Sequence, residues 1–323
     1  MIHNIVAYIY RSNDCEAKKR SSSGAAFYEL AIRALSEDFY IAGSAWDEHL
    51  VARHIVSNNL RDLIRMQGSK YVQSDMGDCY REIISLLKSG NKILFSGTPC
   101  QAAAIGILAS KIGKRENLIS VAIICHGVPS PLVWESYKRW DCEKNKSELV
   151  DVNFRNKDKE GYKTTYTKFT YGSGKVVYRP TYLPTNKFIE SGIVYNLSMR
   201  PSCTECKAKG YNENVDIILG DWHSEYSGEG NLGTSCVTCF TEQGAEFVES
   251  ALSDLRSIDY SEIVRVNGCI ENSSKVNQNR ERFFNLIKDH KNWDKVEALY
   301  PSKYVIKKIL YLTGLYNLIK GKI

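Results

Sequence analysis

The stretch KILFSGTPCQAAAIGILAS, residues 92–110, decides the fold. KILF is short and, after Lys92, wholly apolar, as expected of a strand covered on both faces of a parallel sheet. AAAIGILAS has the small residues and length of a helix. Between them, SGTPCQ carries a glycine, two hydroxyls and a thiol, more chemistry than a turn requires. The pattern then repeats. ISVAIIC (119–125) runs into HGVPSP (126–131) and the helical LVWESYKRW (132–140). Ser130 can cap that helix and Pro131 suits its first turn. A helix between two such strands implies the right-handed crossover. Cys100 and Cys125 therefore fall just past the carboxyl ends of neighbouring parallel strands, the edge at which open α/β sheets bind ligands.

Working outward, NIVAYIY (4–10) alternates as a strand. SSSGAAFYELAIRALSEDF (21–39) reads as a helix with a serine N-cap. FYIAGSAW (39–46) and HLVARHIVS (49–57) pair as strands, and NLRDLIRMQ (59–67) returns to helix. GSKYVQSDMG (68–77) is a polar loop, and CYREIISLLKSG (79–90) is a helix ending on Gly90. Beyond residue 150, TTYTKFTY, GSG and KVVY (164–178) form a hairpin. RPSCTEC (200–206) is a loop, VDIILGDW (215–222) and GTSCVTCFT (233–241) are strands, and GAEFVESALSDL (244–255) is a helix. The expected fold is α/β: a mixed sheet with parallel strand–loop–helix units, then an antiparallel hairpin and a helical C-terminal tail. No linker or repeat divides it. Residues 1–260 are expected as one domain, with an N-terminal part (1–90) and a C-terminal part (91–260), followed by a basic helical tail (261–323).

Composition narrows the function. The 323 residues are 43% hydrophobic and 25% charged, which fits a folded globular chain. The net charge of +6 arises from 43 basic and 37 acidic residues, too mild a bias to indicate nucleic acid. MIHNIVAYIY lacks the basic start and long apolar run of a secretory leader, and no run has the length of a membrane span. A cytoplasmic protein is expected.

Ten cysteines, at 15, 79, 100, 125, 142, 203, 206, 236, 239 and 269, then need explaining. In a reducing compartment, clustered cysteines bind metal or do redox work, and scattered ones serve as small buried hydrophobes. Cys203 and Cys206 form a CxxC whose two thiolates can meet one metal centre. A thioredoxin-like dithiol would open a helix after a strand, whereas the following KAKGYNEN is polar and glycine-broken. Cys236 and Cys239 form a second CxxC. The spacer between the pairs is long for a zinc ribbon. SCVTCF also reads as a strand, on which residues three apart face opposite sides. These two are read as structural. Cys100 and Cys125 are candidates to complete a four-thiolate set of the kind a 4Fe–4S cluster needs; the plainer alternative is that Cys125 ends a buried strand.

Other residues admit two readings. SSSGA offers either backbone N–H groups for a phosphate or an N-cap. His126 is a proton donor or cofactor hydrogen-bond partner, or is satisfied locally. Arg155 and Lys157 are surface charges, or a clamp on an anionic cofactor or substrate.

Six motifs taken together, RSSSGAAFYEL, GSKYVQSD, ILFSGTPCQ, ICHGVPSPLVW, FRNKDKEGYK and RPSCTECK…VDIILGD, resemble in the same order the beta-subunit family of coenzyme F(420) (deazaflavin) hydrogenases and dehydrogenases. The resemblance covers about residues 5–250. That family includes ferredoxin-dependent reductases and bacterial relatives found with surface-polysaccharide genes. The resemblance implies an oxidoreductase with FAD and an adjacent 4Fe–4S cluster, acting on a small-molecule or deazaflavin-like substrate. It implies Cys100, Cys125, Cys203 and Cys206 as cluster ligands. It places Ser22, Ser23, Gly24, Lys70, Gln73, Thr98, Gln101, His126 and Gly127 around the flavin, with His126 the catalytic candidate. The chain departs from the family in having only Cys15 before Cys79, where relatives commonly carry a ferredoxin-like segment, and in SSSGA for SSSGG and GDWHSEY after the last strand. Electrons are then expected from an external donor such as a ferredoxin or a partner subunit. The competing function class is a zinc-binding or non-catalytic accessory protein of glycan assembly. YVIKKILYLTGLYNLIKGKI (304–323) is either a helix docked on the domain or a basic amphipathic helix on a membrane surface.

Overall fold

A computed structural model of the protein describes residues 5–162, 164–181, 184–223 and 231–315. Eleven strands lie within them. The larger sheet holds β1 (Val6–Tyr10), β2 (Tyr40–Trp46), β3 (Ala52–Ser57), β4 (Ile93–Gly97), β5 (Leu118–Ile123), β9 (Ile217–Asp221), β10 (Ser235–Cys239) and β11 (Arg256–Ser257). Its order is β11-β1-β10-β9-β5-β4-β2-β3. The centre, β2, β4, β5 and β9, is parallel, and antiparallel strands flank it on both sides. Because β10 reverses between β9 and β1, β1 again points with the parallel set. The smaller sheet is the antiparallel run β6 (Leu149–Glu160), β7 (Thr164–Tyr171) and β8 (Val176–Pro180). The mixed α/β class, the parallel units, the hairpin and the helical C-terminal region are therefore as expected.

The helices are α1 (Cys15–Arg20), α2 (Ala26–Ser36), α3 (Leu60–Met66), α4 (Cys79–Lys88), α5 (Pro99–Lys111), α6 (Pro131–Asn145), α7 (Lys187–Ile189), α8 (Pro201–Thr204), α9 (Glu242–Ala251), α10 (Tyr260–Val266), α11 (Arg280–Ile287) and α12 (Lys303–Leu312). The larger sheet is covered on both faces. Phe95, Ala122 and Cys236 point into one core, and Leu94, Val121 and Cys239 into the other. A third, aromatic core joins α6, the smaller sheet, α7, α11 and the 3-10 segment His290–Leu299 through Trp134, Tyr137, Phe154, Phe169, Phe188, Phe283 and Trp293. Residues 260–304 pack into these cores: Ile263 and Ile270 into the first, and Phe283, Trp293, Val296 and Tyr304 into the aromatic one.

Asp216 fixes how the centre of the large sheet pairs. It is fully buried just before β9. Its carboxylate accepts from Arg115 (2.7 Å), the backbone N–H of Ser120 (2.7 Å) and Thr241 (2.7 Å). Removing one member of such a buried set costs about 3–5 kcal/mol. The bonds lock β9 beside β5 at one end, and so bring the residues after Ile123 and Asp221 together at the other.

Three local expectations are corrected. The serines do not cap α2: the helix begins one residue after Ala25, which sits at φ 69 with no side-chain cap, and SSSG is a separate loop. A short helix, α8, lies inside RPSCTEC, because Pro201 at its first position favours a helical turn. The reading of Arg155 and Lys157 as surface charges is overturned: most of FRNKDKEGYK belongs to β6, where the register shifts between Asn153 and Asn156 and Phe154, Arg155, Asn156 and Lys157 are all buried.

Glu190, 3% exposed, follows α7 and accepts from the Tyr304 hydroxyl at 3.3 Å. Burial pushes its pKa up to about 7. A carboxyl whose folded pKa exceeds its unfolded value favours folding while protonated. That contribution is complete below pH 4.5 and is lost as pH rises through 7; it amounts to about 3 kcal/mol. Urea unfolding at pH 5 and pH 8 should show the wild type losing more stability with rising pH than Glu190→Gln, by about 2–3 kcal/mol. Parallel pH dependences of the two proteins would contradict this.

Candidate functional site

The carboxyl ends of β1, β2, β4, β5 and β9 form one edge of the large sheet, and the expected site residues lie along it. Thr98 and Gln101 close the turn after β4. The Gln101 Oε1 accepts from the Thr98 N–H (2.9 Å) and hydroxyl (2.9 Å), a capping box that starts α5. The cap leaves Cys100 exposed in the first turn, its sulfur 3.2 Å from the Thr98 hydroxyl.

Cys125 follows β5. The N–H of Ile124 still bonds the Leu219 carbonyl (2.7 Å), so the chain leaves the sheet only at Cys125. It then pairs with the segment ahead of the CxxC: Pro129 bridges Met199, the Ser130 N–H donates to the Ser198 carbonyl (3.3 Å), and the Arg200 N–H donates to the Val128 carbonyl (3.2 Å). This pairing carries Cys203 to the Cys125 loop. Gly127 is the point of closest approach. Its φ is +145°, and a Cβ there would lie 2.8 Å from the Met199 sulfur and 3.3 Å from the Cys203 Cβ. Burial raises the Cys125 pKa to about 12, opposed by the Lys209 ammonium; Cys203 and Cys100 are both near enough to add repulsion. The Cys206 N–H donates to Ser273 (3.1 Å) and Ser274 donates to the Cys203 carbonyl (3.4 Å), so residues 273–274 hold the CxxC from the far side.

All four are free thiols. Among the described residues no three His, Cys, Asp or Glu side chains converge on one point as a single metal ion requires. A four-iron cube places its irons at separate corners and takes one thiolate at each. Cys125 and Cys203 meet at Gly127, and Cys100 stands exposed in the turn after the adjacent strand β4. Cys236 and Cys239 point into cores on opposite faces of the large sheet, so that pair cannot serve one ion.

The residues expected around a flavin are mostly engaged in joining loops. Ser22 bonds Ser69 (2.7 Å). Ser23 bonds Ser235 (3.0 Å), and the Gly24 N–H donates to the same hydroxyl (3.0 Å). A Cβ on Gly24 would lie 2.5 Å from the Tyr10 carbonyl oxygen, so this glycine lets the loop press on β1 and β10. Lys70 donates to the carbonyls of Arg65, Met66, Gln67 and Gly68 (2.9–3.2 Å), capping the carboxyl end of α3. Gln73 is half-buried in the loop that follows.

β6 covers this edge. Arg155 pairs with Asp221 at 2.6 Å, close to the Tyr71 hydroxyl (3.5 Å) and the Tyr162 ring. The Lys157 ammonium donates to the carbonyls of Lys18 (2.7 Å), Ser23 (2.9 Å) and Leu232. Burial and the Arg155 charge pull its pKa down, while three carbonyl acceptors hold its proton. His126 donates from Nε2 to the Asn196 Oδ1 (2.7 Å), which leaves Nδ1 as the basic atom of the neutral ring.

Sequence reasoning missed Lys209 and Asp221. Lys209 donates to the Cys125 and Cys269 carbonyls and so ties the end of β5 to residue 269. Its signal was a lysine three residues past the CxxC, since cations beside thiols favour thiolates. Asp221 was readable as the acid ending ILGD at the carboxyl end of a strand. Asn196 had no local signal: its role depends on a contact 70 residues away in sequence.

Free thiols and basic side chains thus gather at the carboxyl edge of an open α/β sheet, an arrangement compatible with redox chemistry. Residues 90–263 match the family model for the C-terminal part of the coenzyme F(420) hydrogenase/dehydrogenase beta subunit. The match spans more than half of the chain, and the protein belongs to that family. Comparison with curated proteins finds no match. Among solved structures, the chain is similar to one from the F(420)-reducing nickel–iron hydrogenase complex of Methanosarcina barkeri, with a TM-score of 0.51, 20% identity and 91% of each chain covered. That likeness is one of fold.

Gly127→Ala should cost about 2 kcal/mol, because strain at positive φ adds to the contact with Met199 and Cys203. Gly174→Ala, at φ +83° with nothing within 4 Å, is the control and should cost about 1 kcal/mol. Urea midpoints measure both. Equal losses would remove the packing role given to Gly127.

Proposed function

We propose that the protein is a flavin- and iron–sulfur-dependent oxidoreductase, passing electrons between an external donor and a small-molecule or deazaflavin-like substrate. The observation that carries this reading is the packing of the Cys125 loop against Cys203 at Gly127, with Cys100 exposed in the turn after the adjacent strand and Cys206 three residues past Cys203. These four thiols would hold a 4Fe–4S cluster. FAD would be held by residues of the same edge, Thr98, Gln101, His126 and Arg155 among them. A cluster supplies single electrons and a flavin turns pairs of them into hydride chemistry.

The chain's own residues have distinct parts in this reading. The Thr98–Gln101 box aims Cys100 along the edge. Gly127 and the 128–130 pairing set Cys125 against Cys203. Arg155 places a cation at the edge, directed by Asp221. Lys157 acts indirectly, by holding the loops at 18–24 and 231–234. His126 keeps its Nδ1 as a proton acceptor, oriented by Asn196. The deazaflavin coenzyme is one substrate this scheme accommodates.

Protein purified without oxygen should show flavin bands and a broad absorption that bleaches with dithionite, with about four irons per chain. Cys100→Ser, Cys125→Ser, Cys203→Ser and Cys206→Ser should each lower the iron, and Cys236→Ser and Cys239→Ser should leave it unchanged. A colourless protein with stoichiometric zinc would overturn the reading.

The donor can be tested separately by stopped flow. The GxGxxG run GEGNLG at 228–233 leads into strand β10 and not into a helix, so it is not the dinucleotide fingerprint, and reduced ferredoxin should reduce the bound flavin far faster than NADH or NADPH. Added salt should slow the ferredoxin reaction by screening. Rapid reduction by a nicotinamide, or a ferredoxin rate indifferent to salt, would count against an external ferredoxin-type donor.

A further inference from the structure

We propose that α12 is a docking face for an anionic lipid bilayer. A surface helix ordinarily turns its apolar stripe inward. In α12 the arrangement is reversed. Its inner face is polar or aromatic: Tyr304 is buried against Tyr300 and reaches Glu190, and Lys308 pairs with Glu297 at 2.5 Å. These contacts fix how the helix sits. Its outer face presents Val305 (57% exposed), Ile306 (60%), Ile309 (55%) and Leu312 (65%). Residues 305, 309 and 312 follow the i, i+4, i+7 spacing of one helix face, and 306 widens it.

Charge selects the occupant. Besides Lys308, which is engaged with Glu297 on the inner face, the segment 303–323 contains Lys303, Lys307, Lys320 and Lys322 and no acidic residue. An apolar face with lysines and no acids matches an anionic interface, where aliphatic side chains enter the acyl boundary and lysines meet headgroups. A second copy of the chain is disfavoured as the occupant, because it would bring two lysine-rich segments together. Among the described residues no helix is long and apolar enough to cross a membrane, so the contact is peripheral.

The test is co-sedimentation of the full chain with vesicles of equal phosphatidylglycerol and phosphatidylcholine, and with phosphatidylcholine alone. Wild type should bind the anionic vesicles at least tenfold better. The double variant Ile306→Glu/Ile309→Glu should lose at least tenfold on anionic vesicles while keeping the wild-type urea midpoint, since both side chains face solvent. Absent binding, equal binding to the two lipids, or unchanged binding by the variant overturns the proposal. So does a wild-type dimer in solution that the variant converts to monomer without any vesicle binding, which would assign the stripe to a second copy.

Discussion

Lys157 is the contact on which the carboxyl edge depends. Its ammonium has three protons, and each meets a backbone carbonyl from a different part of the chain: Lys18, Ser23 and Leu232. The side chain is 4% exposed, so water cannot take over any of the three acceptors if it is removed. Arg155, two residues earlier, extends the same strand to Asp221 and Tyr71. Four segments that are remote in sequence are thus held against one strand of the smaller sheet. Arg155 and Lys157, two residues apart, lie on one face of β6, so a single strand reaches all of them.

The cysteine region follows the same principle with different means. Here the fastening is backbone pairing between residues 128–130 and 198–200, tightened by a glycine at Gly127 and closed by Lys209 and Ser273. A thiol set placed by strand ends and main-chain pairing has little freedom to collapse.

Much of this was legible in the sequence, and the failures share a cause. The runs 93–95 and 118–123 gave the parallel units because burial on both faces favours apolar residues; the one hydroxyl among them, Ser120, is bonded to the Ala102 and Asn214 carbonyls. The divergence of Cys236 and Cys239 followed from strand geometry alone. FRNKDKEGYK misled because its charges look solvated, and only the arrival of three carbonyls and Asp221 from elsewhere compensates their burial. The serine loop before α2 misled for a related reason: its hydroxyls have partners at Ser69 and Ser235, which no local pattern discloses. Propensity reads neighbours in sequence, whereas these residues answer to neighbours in space.

The position of β1 has a consequence for how the molecule is made. The first strand does not pair with the second; it lies between β10 and β11, so that Val6 faces Cys239 and Tyr8 faces Ser257. Emerging from the ribosome, residues 6–10 have no partner until more than two hundred others have been synthesised. The central strands can assemble meanwhile, but the edge that Ser23, Gly24 and Lys157 complete stays open. Such long-range pairing is slow and comes late. Any group seated along that edge would therefore enter a nearly finished protein, with β1 and its following loop as the last wall to close.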